Sequence, residues 1–197
     1  FVKSLVIEQV KKDGFSVLNA DDLTTVQLKD RANGNIIFFS TAEDNLILRK
    51  HLGQGGHGVF IKDGAIFLAH RDDIKYLVKV KDIPATLGGR ARHNIQNALA
   101  AAAACWALGV PLRVIARALR EFECNETHNP GRMNIMEMEG FQVMLDYAHN
   151  PAGLEAAINT AKLLKPTRMV GIIASPGDRR DQDIIALGYI AGKGFQR

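Results

Sequence analysis

Gly34-Asn35-Ile36-Ile37-Phe38-Phe39-Ser40 holds four large apolar residues in unbroken succession. A strand with one wet face alternates apolar and polar residues. A strand covered on both faces does not, so this run predicts a buried strand of a parallel sheet. Upstream, residues 1–12 read as a helix-like piece and 15–18 as a short buried strand. Asn19-Ala20-Asp21-Asp22 then turns into a second helix carrying Leu23, Val26 and Leu28. The alternation is that of an α/β fold. Downstream, Val59-Phe60-Ile61 and Ala65-Ile66-Phe67-Leu68 flank Asp63-Gly64, the favoured dipeptide of a tight hairpin, so an antiparallel edge is expected beside the parallel core.

Two helices should follow. Residues 94–108 place Ile95, Leu99, Ala102, Ala103 and Trp106 on one face, Gly109 supplies a left-handed stop, and Pro111 sits in the first turn of a helix ending near Phe122. Residues 123–131 are polar and contain Pro130-Gly131, the composition of a linker, and the boundary between residues 1–126 and 127–197 is drawn there. Beyond it, 133–139, 141–146 and 169–174 read as strands, and 153–164 and 182–191 as helices. Strand, helix, strand makes a βαβ unit, which would bring the loops after Leu145 and Ala174 to one carboxyl edge of a parallel sheet.

Composition is that of ordinary globular protein: 197 residues, 47% hydrophobic and 23% charged. No apolar run approaches the roughly 18 to 20 residues that cross a membrane. No signal peptide is visible, and the cytoplasm is the expected compartment. Cys105 and Cys124 lack the spacing of a zinc site or disulfide framework. The net charge of +4 comes from scattered lysines and arginines without interleaved aromatic residues, which argues against a nucleic-acid partner. Capture of a phosphate-bearing small molecule and plain solvation both fit it.

Chemistry-bearing residues gather at the ends of predicted strands. Leu145-Asp146-Tyr147-Ala148-His149-Asn150-Pro151 offers a carboxylate, an imidazole and an amide just before a proline that opens a helix. Asp146 could accept hydrogen bonds from a ribose or organise a magnesium-bound phosphate, with His149 and Asn150 as neutral partners. Equally, such residues satisfy free backbone amides, with Asn150 as a helix cap. Ser175-Pro176-Gly177-Asp178-Arg179-Arg180-Asp181 joins a helix amino end to two guanidinium groups, suited to phosphate, or to a surface turn whose arginines pair with Asp178 and Asp181. Arg132 in the linker could reach a transferred phosphate on domain closure, or stand solvated. In Gly88-Gly89-Arg90-Ala91-Arg92-His93-Asn94-Ile95-Gln96-Asn97, Asn94 is a candidate cap, whereas Asn97 is an amide without a propensity reason inside an alanine-rich helix. Gly53-Gln54-Gly55-Gly56-His57-Gly58 lacks the Lys-Ser/Thr ending of a phosphate loop and is rejected as one. His51, His57 and His70 read as surface histidines.

Taken together, Asn19-Ala20-Asp21-Asp22, residues 88–101, Gly131-Arg132, Asp146-Tyr147-Ala148-His149-Asn150-Pro151 and the 176–181 run resemble the Mur ligase superfamily, and within it the Mur-like part of the cyanophycin synthetases. The Asp-Tyr-Ala-His-Asn-Pro run is shared in close variants by peptidoglycan ligases and folylpolyglutamate synthetases. The resemblance implies the back half of a Mur-type central ATPase domain followed by the start of a Rossmann-like carboxyl-terminal domain. It implies an ATP- and Mg2+-dependent ligase that activates a carboxylate as an acyl phosphate and joins an amine to it, arginine onto poly-aspartate side chains in the nearest case. By the same resemblance Asn97 contacts the adenine region, Arg132 the terminal phosphate and Asp146 the ribose. His149 and Asn150 shape that edge, with Arg132 and His149 as the catalytic pair.

The chain departs from that family in having no GxxxxGK[ST] loop, no central-domain glutamate segment for magnesium and no ATP-grasp half, all expected upstream of Phe1. The expectation is therefore an excised piece that alone does not turn over ATP. Its incomplete sheets are expected to self-associate or to lower its solubility. The alternatives are another Mur-type ligase, acting on muramyl peptides or folylpolyglutamate, or a noncatalytic nucleotide-binding module.

Overall fold

The run at 36–39 lies in the second strand of a five-stranded sheet in the computed structural model, which describes residues 4–175, 177 and 179–195. By contact density the chain divides into two units, Phe1–Phe122 and Glu123–Arg197.

In the first unit β1 (Phe15–Asn19), β2 (Asn35–Ser40) and β3 (His57–Lys62) run parallel. β4 (Ala65–His70) and β5 (Asp73–Lys79) continue the sheet antiparallel, in the order β1-β2-β3-β4-β5. Helix α1 is Ser4–Glu8, and α2 (Leu23–Val26) runs on into a 3-10 turn, Gln27–Arg31. α3 spans Leu46–Gly53, α4 Arg92–Ala107 and α5 Leu112–Glu121. Residues alternate across the sheet with period two. Ile37, Phe39, Val59, Ile66 and Leu68 face Ile95, Leu99 and Ala102 of α4 and Ile115 of α5. Leu18, Phe38, Phe60 and Ala69 face Val26 and Leu48 on the opposite side. The unbroken apolar run at 36–39 is thus explained: helices cover both faces of β2.

Asp63 and Gly64 both take positive φ, +48° and +71°, as a type I′ hairpin turn demands. Pro111 is the N-cap residue of α5. α4 starts two residues earlier than the helical pattern indicates, and Asn94 is not its cap. The N-cap is Ala91, and the Asn94 amide instead donates to Ala85 O at 2.8 Å. Leu23 is 72% exposed, so only Val26 of that short helix faces inward as expected.

The histidines also depart from expectation. His57 and His70 stand opposite each other in the β3–β4 register with rings stacked at 3.8 Å. The His57 ring meets Phe15 and Trp106 edge-on. His51 Nε2 lies 3.1 Å from Ile36 O. All three are half-buried rather than surface residues.

In the second unit β6 (Asn134–Met138) and β7 (Phe141–Leu145) form an antiparallel hairpin. Helix α6 (Pro151–Leu163) packs Leu154 and Ile158 against Leu187 of α7 (Asp181–Gly194), with Met169 and Phe195 alongside. Residues 168–174 join no sheet, so the third strand and the parallel βαβ unit are absent among the described residues. A strand is defined by its partners. Val170 and Ile172 are 70% and 99% exposed, while Met169 packs against the Leu154, Ile158 and Leu187 cluster and Gly171 lies close to the Phe195 ring. Pro176 and Asp178 of the expected 176–181 motif lie outside the described residues.

Candidate functional site

β7 ends at Leu145 and the chain turns outward through Asp146, Tyr147, Ala148 and His149 before α6 begins. Asp146, Tyr147 and His149 are each held by a hydrogen bond. The Asp146 carboxylate accepts from Met133 N–H through Oδ2 at 3.0 Å, and its Oδ1 takes no hydrogen bond among the described residues. Tyr147 N–H donates to Gly131 O at 2.7 Å. His149 Nδ1 lies 3.1 Å from Tyr147 O. A carbonyl only accepts, so that contact places the ring proton on Nδ1 and leaves Nε2 as a lone-pair acceptor in the neutral imidazole. Asn150 is the N-cap of α6. Its Oδ1 accepts from Gly153 N–H at 2.8 Å and Pro151 occupies the first helical position, so its acceptor is committed to the cap.

Arg132 joins this group from the preceding loop. Its guanidinium lies 5.2 Å from the centroid of the Tyr147 ring, and the Tyr147 and His149 rings are 5.2 Å apart. Among the described residues Arg132 pairs with no carboxylate. It is an exposed cation without internal neutralisation, the state in which a guanidinium can take an incoming anion. Arg132, Asp146, His149 and Asn150, drawn from two separate stretches of sequence, therefore meet at one end of the β6–β7 hairpin.

A cavity of about 840 Å³ opens beside them, with Asp146, Tyr147 and His149 on its wall and Leu154, Ile158 and the 166–175 segment around the rest. That volume is in the range of small-molecule sites. The 169–174 segment thus reaches the same cavity as Asp146, though as a stretch outside any sheet and not through the shared sheet edge that the sequence suggests. Arg180 does not line this cavity. It forms a bidentate pair with Asp183, at 2.9 and 3.0 Å, where the sequence suggests Asp181 or Asp178, the latter outside the described residues.

Asn97 belongs to the first unit. It is exposed on α4, and its Nδ2 donates to Asn94 Oδ1 at 3.2 Å, which leaves its own carbonyl oxygen open. The loop leading to α4 is organised by Thr86, whose buried hydroxyl lies 2.8 Å from both Val80 O and Ile83 O and accepts from Gly89 N–H at 3.0 Å. Thr86 and the buried Asn134 are the polar residues that sequence reasoning passed over; neither belongs to a recognisable motif. Among the described residues no three of His, Cys, Asp or Glu come together as metal ligands.

Residues 1–105 match the Mur ligase middle domain, and residues 131–193 match the glutamate ligase domain of the Mur ligases. The chain belongs to the Mur ligase family. Against cyanophycin synthetases it is 38% identical over 98% of its length to that of Geminocystis herdmanii, and 37% identical over 100% to that of Crocosphaera subtropica. It spans 22% of each of those relatives. Against a UDP-N-acetylmuramoyl-L-alanyl-D-glutamate--2,6-diaminopimelate ligase of Clostridium botulinum it is 30% identical over 83% of the chain and 31% of that protein. The crystal structure of a murein peptide ligase from Psychrobacter arcticus superposes with a TM-score of 0.56 at 16% identity, over 92% of this chain and 36% of that one, a likeness of fold. No described helix of this Mur ligase chain is long and apolar enough to cross a membrane.

Proposed function

We propose that these residues serve an ATP-dependent ligase that forms amide bonds through an acyl phosphate, with arginine as the amine and poly-aspartate side chains as the carboxylate. The observation that carries this reading is the reach of the similarity. Cyanophycin synthetases match through both units at 35–38% identity over 98–100% of the chain, whereas the muramyl-peptide ligases match at 28–30% over 62–83%.

In the proposed reaction the acceptor carboxylate oxygen attacks the terminal phosphorus of ATP and ADP leaves. The amine then attacks the acyl carbon, inorganic phosphate leaves with the carboxylate oxygen, and the amine gives up a proton. Charge on the transferred phosphoryl oxygens is what a fixed cation stabilises in such a step. Arg132, exposed and unpaired with any described carboxylate, has the chemistry for it. The open Oδ1 of Asp146 suits a ribose hydroxyl donor, and His149 Nε2 suits a second donor at the same edge. Asn150 keeps its Nδ2 donor for that edge once its oxygen caps α6. On the first unit, the open carbonyl of Asn97 suits an adenine amino group. Magnesium accompanies ATP in this reading, but the described residues of this chain do not make a magnesium site and are given no part in holding one.

The test is phosphate release by the complete protein that carries these residues, supplied with ATP, single amino acids and either an aspartate-rich acceptor or muramyl peptides. Release that requires arginine together with the aspartate acceptor is expected. Release that requires a muramyl peptide, or no amino-acid-dependent release at all, would overturn the reading.

A further inference from the structure

We propose that Asn134 and Tyr147 are positioning residues that fix the Arg132 guanidinium before any ligand arrives. The inference rests on the assignment of Arg132 to the transferred phosphate.

Asn134 is 2% exposed at the start of β6. Its carboxamide serves one purpose, which is to hold the preceding loop. Oδ1 accepts from Gly131 N–H at 2.6 Å, while Nδ2 donates to Asn129 O at 2.9 Å and to Arg132 O at 3.3 Å. One N–H on one side and two carbonyls on the other fix which way the amide points. The remaining backbone groups are also taken. Gly131 O accepts from Tyr147 N–H, Arg132 N–H donates to Asn129 O at 3.2 Å, and Met133 N–H donates to Asp146. All four backbone polar groups of Gly131 and Arg132 are therefore bonded.

Torsion angles reinforce this. Gly131 and Met133 flank Arg132 with φ of +70° and +53°, and Met133 is 5% exposed, so its side chain anchors the loop from beneath. Only the side chain of Arg132 retains freedom, and its guanidinium rests over the exposed Tyr147 ring. Tyr147 thus acts twice: its backbone closes the loop and its ring supports the cation. A cation held in this way loses little further freedom when it meets a phosphate.

The test measures kcat and KM for ATP in the complete protein. Tyr147→Leu should lower kcat roughly two- to fivefold with KM for ATP little changed. Tyr147→Phe, which keeps the ring, should restore the rate. Asn134→Asp turns a second oxygen toward the Asn129 and Arg132 carbonyls, and should lower kcat by on the order of a hundredfold through displacement of the loop. Neither change should lower the residual rate further when Arg132 is already Ala, because each acts through that guanidinium. Losses that persist undiminished in the Arg132→Ala background would overturn the proposal while leaving the assignment of Arg132 intact, as would a Tyr147→Leu rate equal to that of the unaltered protein. Should Arg132→Ala alone leave kcat unchanged, the phosphate assignment itself falls and this role falls with it. Tyr147 is exposed, so its variants keep the test decisive even where Asn134→Asp fails to fold.

Discussion

Asp21→Ala should cost the first unit about 3 kcal/mol, more than a loop carboxylate ordinarily contributes. Asp21 follows β1 and ties its end to the end of β2. Its Oδ1 accepts from Ser40 Oγ at 2.6 Å and Asn45 Nδ2 at 3.1 Å, and its Oδ2 accepts from Thr41 N–H at 2.8 Å and Thr41 Oγ1 at 2.7 Å. Hydrogen bonds to a charged acceptor contribute roughly 1.5–3 kcal/mol each, but four on one half-buried group do not add, and water takes over part of them. Ser40 is fully buried, so water cannot reach its hydroxyl in place of Asp21. Asn45 caps α3 through Ile47 and Leu48 N–H, so the same carboxylate also orients a helix cap.

Burial raises the Asp21 pKa, but the bonds from Ser40, Thr41 and Asn45 outweigh it and hold the carboxyl below its ordinary value. A depressed carboxyl contributes stability above its unfolded-state pKa of about 3.9 and loses it as pH falls through the folded value. The assay is urea unfolding followed by fluorescence of Trp106, the chain's one tryptophan, in α4 against the sheet. Asp21→Ala should lower the unfolding free energy by that amount near neutral pH and flatten its decline in acid. A loss under about 1 kcal/mol with the acid slope unaltered would refute the reasoning.

Three further outcomes follow from the same packing. Gly34→Ala should destabilise the first unit by about 2–3 kcal/mol in the same assay, because an added Cβ would stand 2.6 Å from the backbone oxygens of both Gly14 and Lys11, which cannot rotate away. Thr86→Val, equal in shape, should cost about 2 kcal/mol by leaving Gly89 N–H without its acceptor and removing the single hydroxyl proton that the Val80 and Ile83 carbonyls share, read as a lower urea midpoint at unchanged slope. Burial, then the charges of His70, His51 and Arg71, lower the His57 pKa, and burial also lowers that of His51. The folded state therefore binds fewer protons than the unfolded chain. Stability should be complete above an unfolded-state pKa of about 6.5 and fall as pH drops through it, and His70→Phe should shrink that fall while keeping the stack.

The parts of the fold legible in the sequence are those fixed by local chemistry. Asp63-Gly64 announces its turn because few other pairs adopt two positive φ values, and the apolar run at 36–39 announces a doubly covered strand. Helix α3 escapes such reading because Leu46-Ile47-Leu48 is a short apolar run that suits strand or helix equally, and only the Asn45 cap distinguishes them. β5 escapes it because five of its seven residues are exposed. The 169–174 run fails in the opposite direction, since its apolar content is that of a strand and the missing element is a partner.

Among site residues, Asp146 and Asn150 are visible in the sequence because one directly follows a strand and the other caps a helix. The approach of Arg132 to Tyr147 depends on hairpin pairing, which places Asn134 opposite Leu145. The stacked histidines were in fact encoded. His57 and His70 stand six residues either side of the Asp63-Gly64 turn (63 − 57 = 6 and 70 − 64 = 6), so the hairpin register brings them face to face.

The most direct test of the account is the turnover of the complete protein carrying Arg132→Ala, with ATP, arginine and an aspartate-rich acceptor at saturation. A cation that stabilises the transferred phosphoryl group predicts a fall in kcat of on the order of 10²-fold or more, with the urea midpoint of the variant unchanged. A kcat within twofold of the unaltered protein would contradict it.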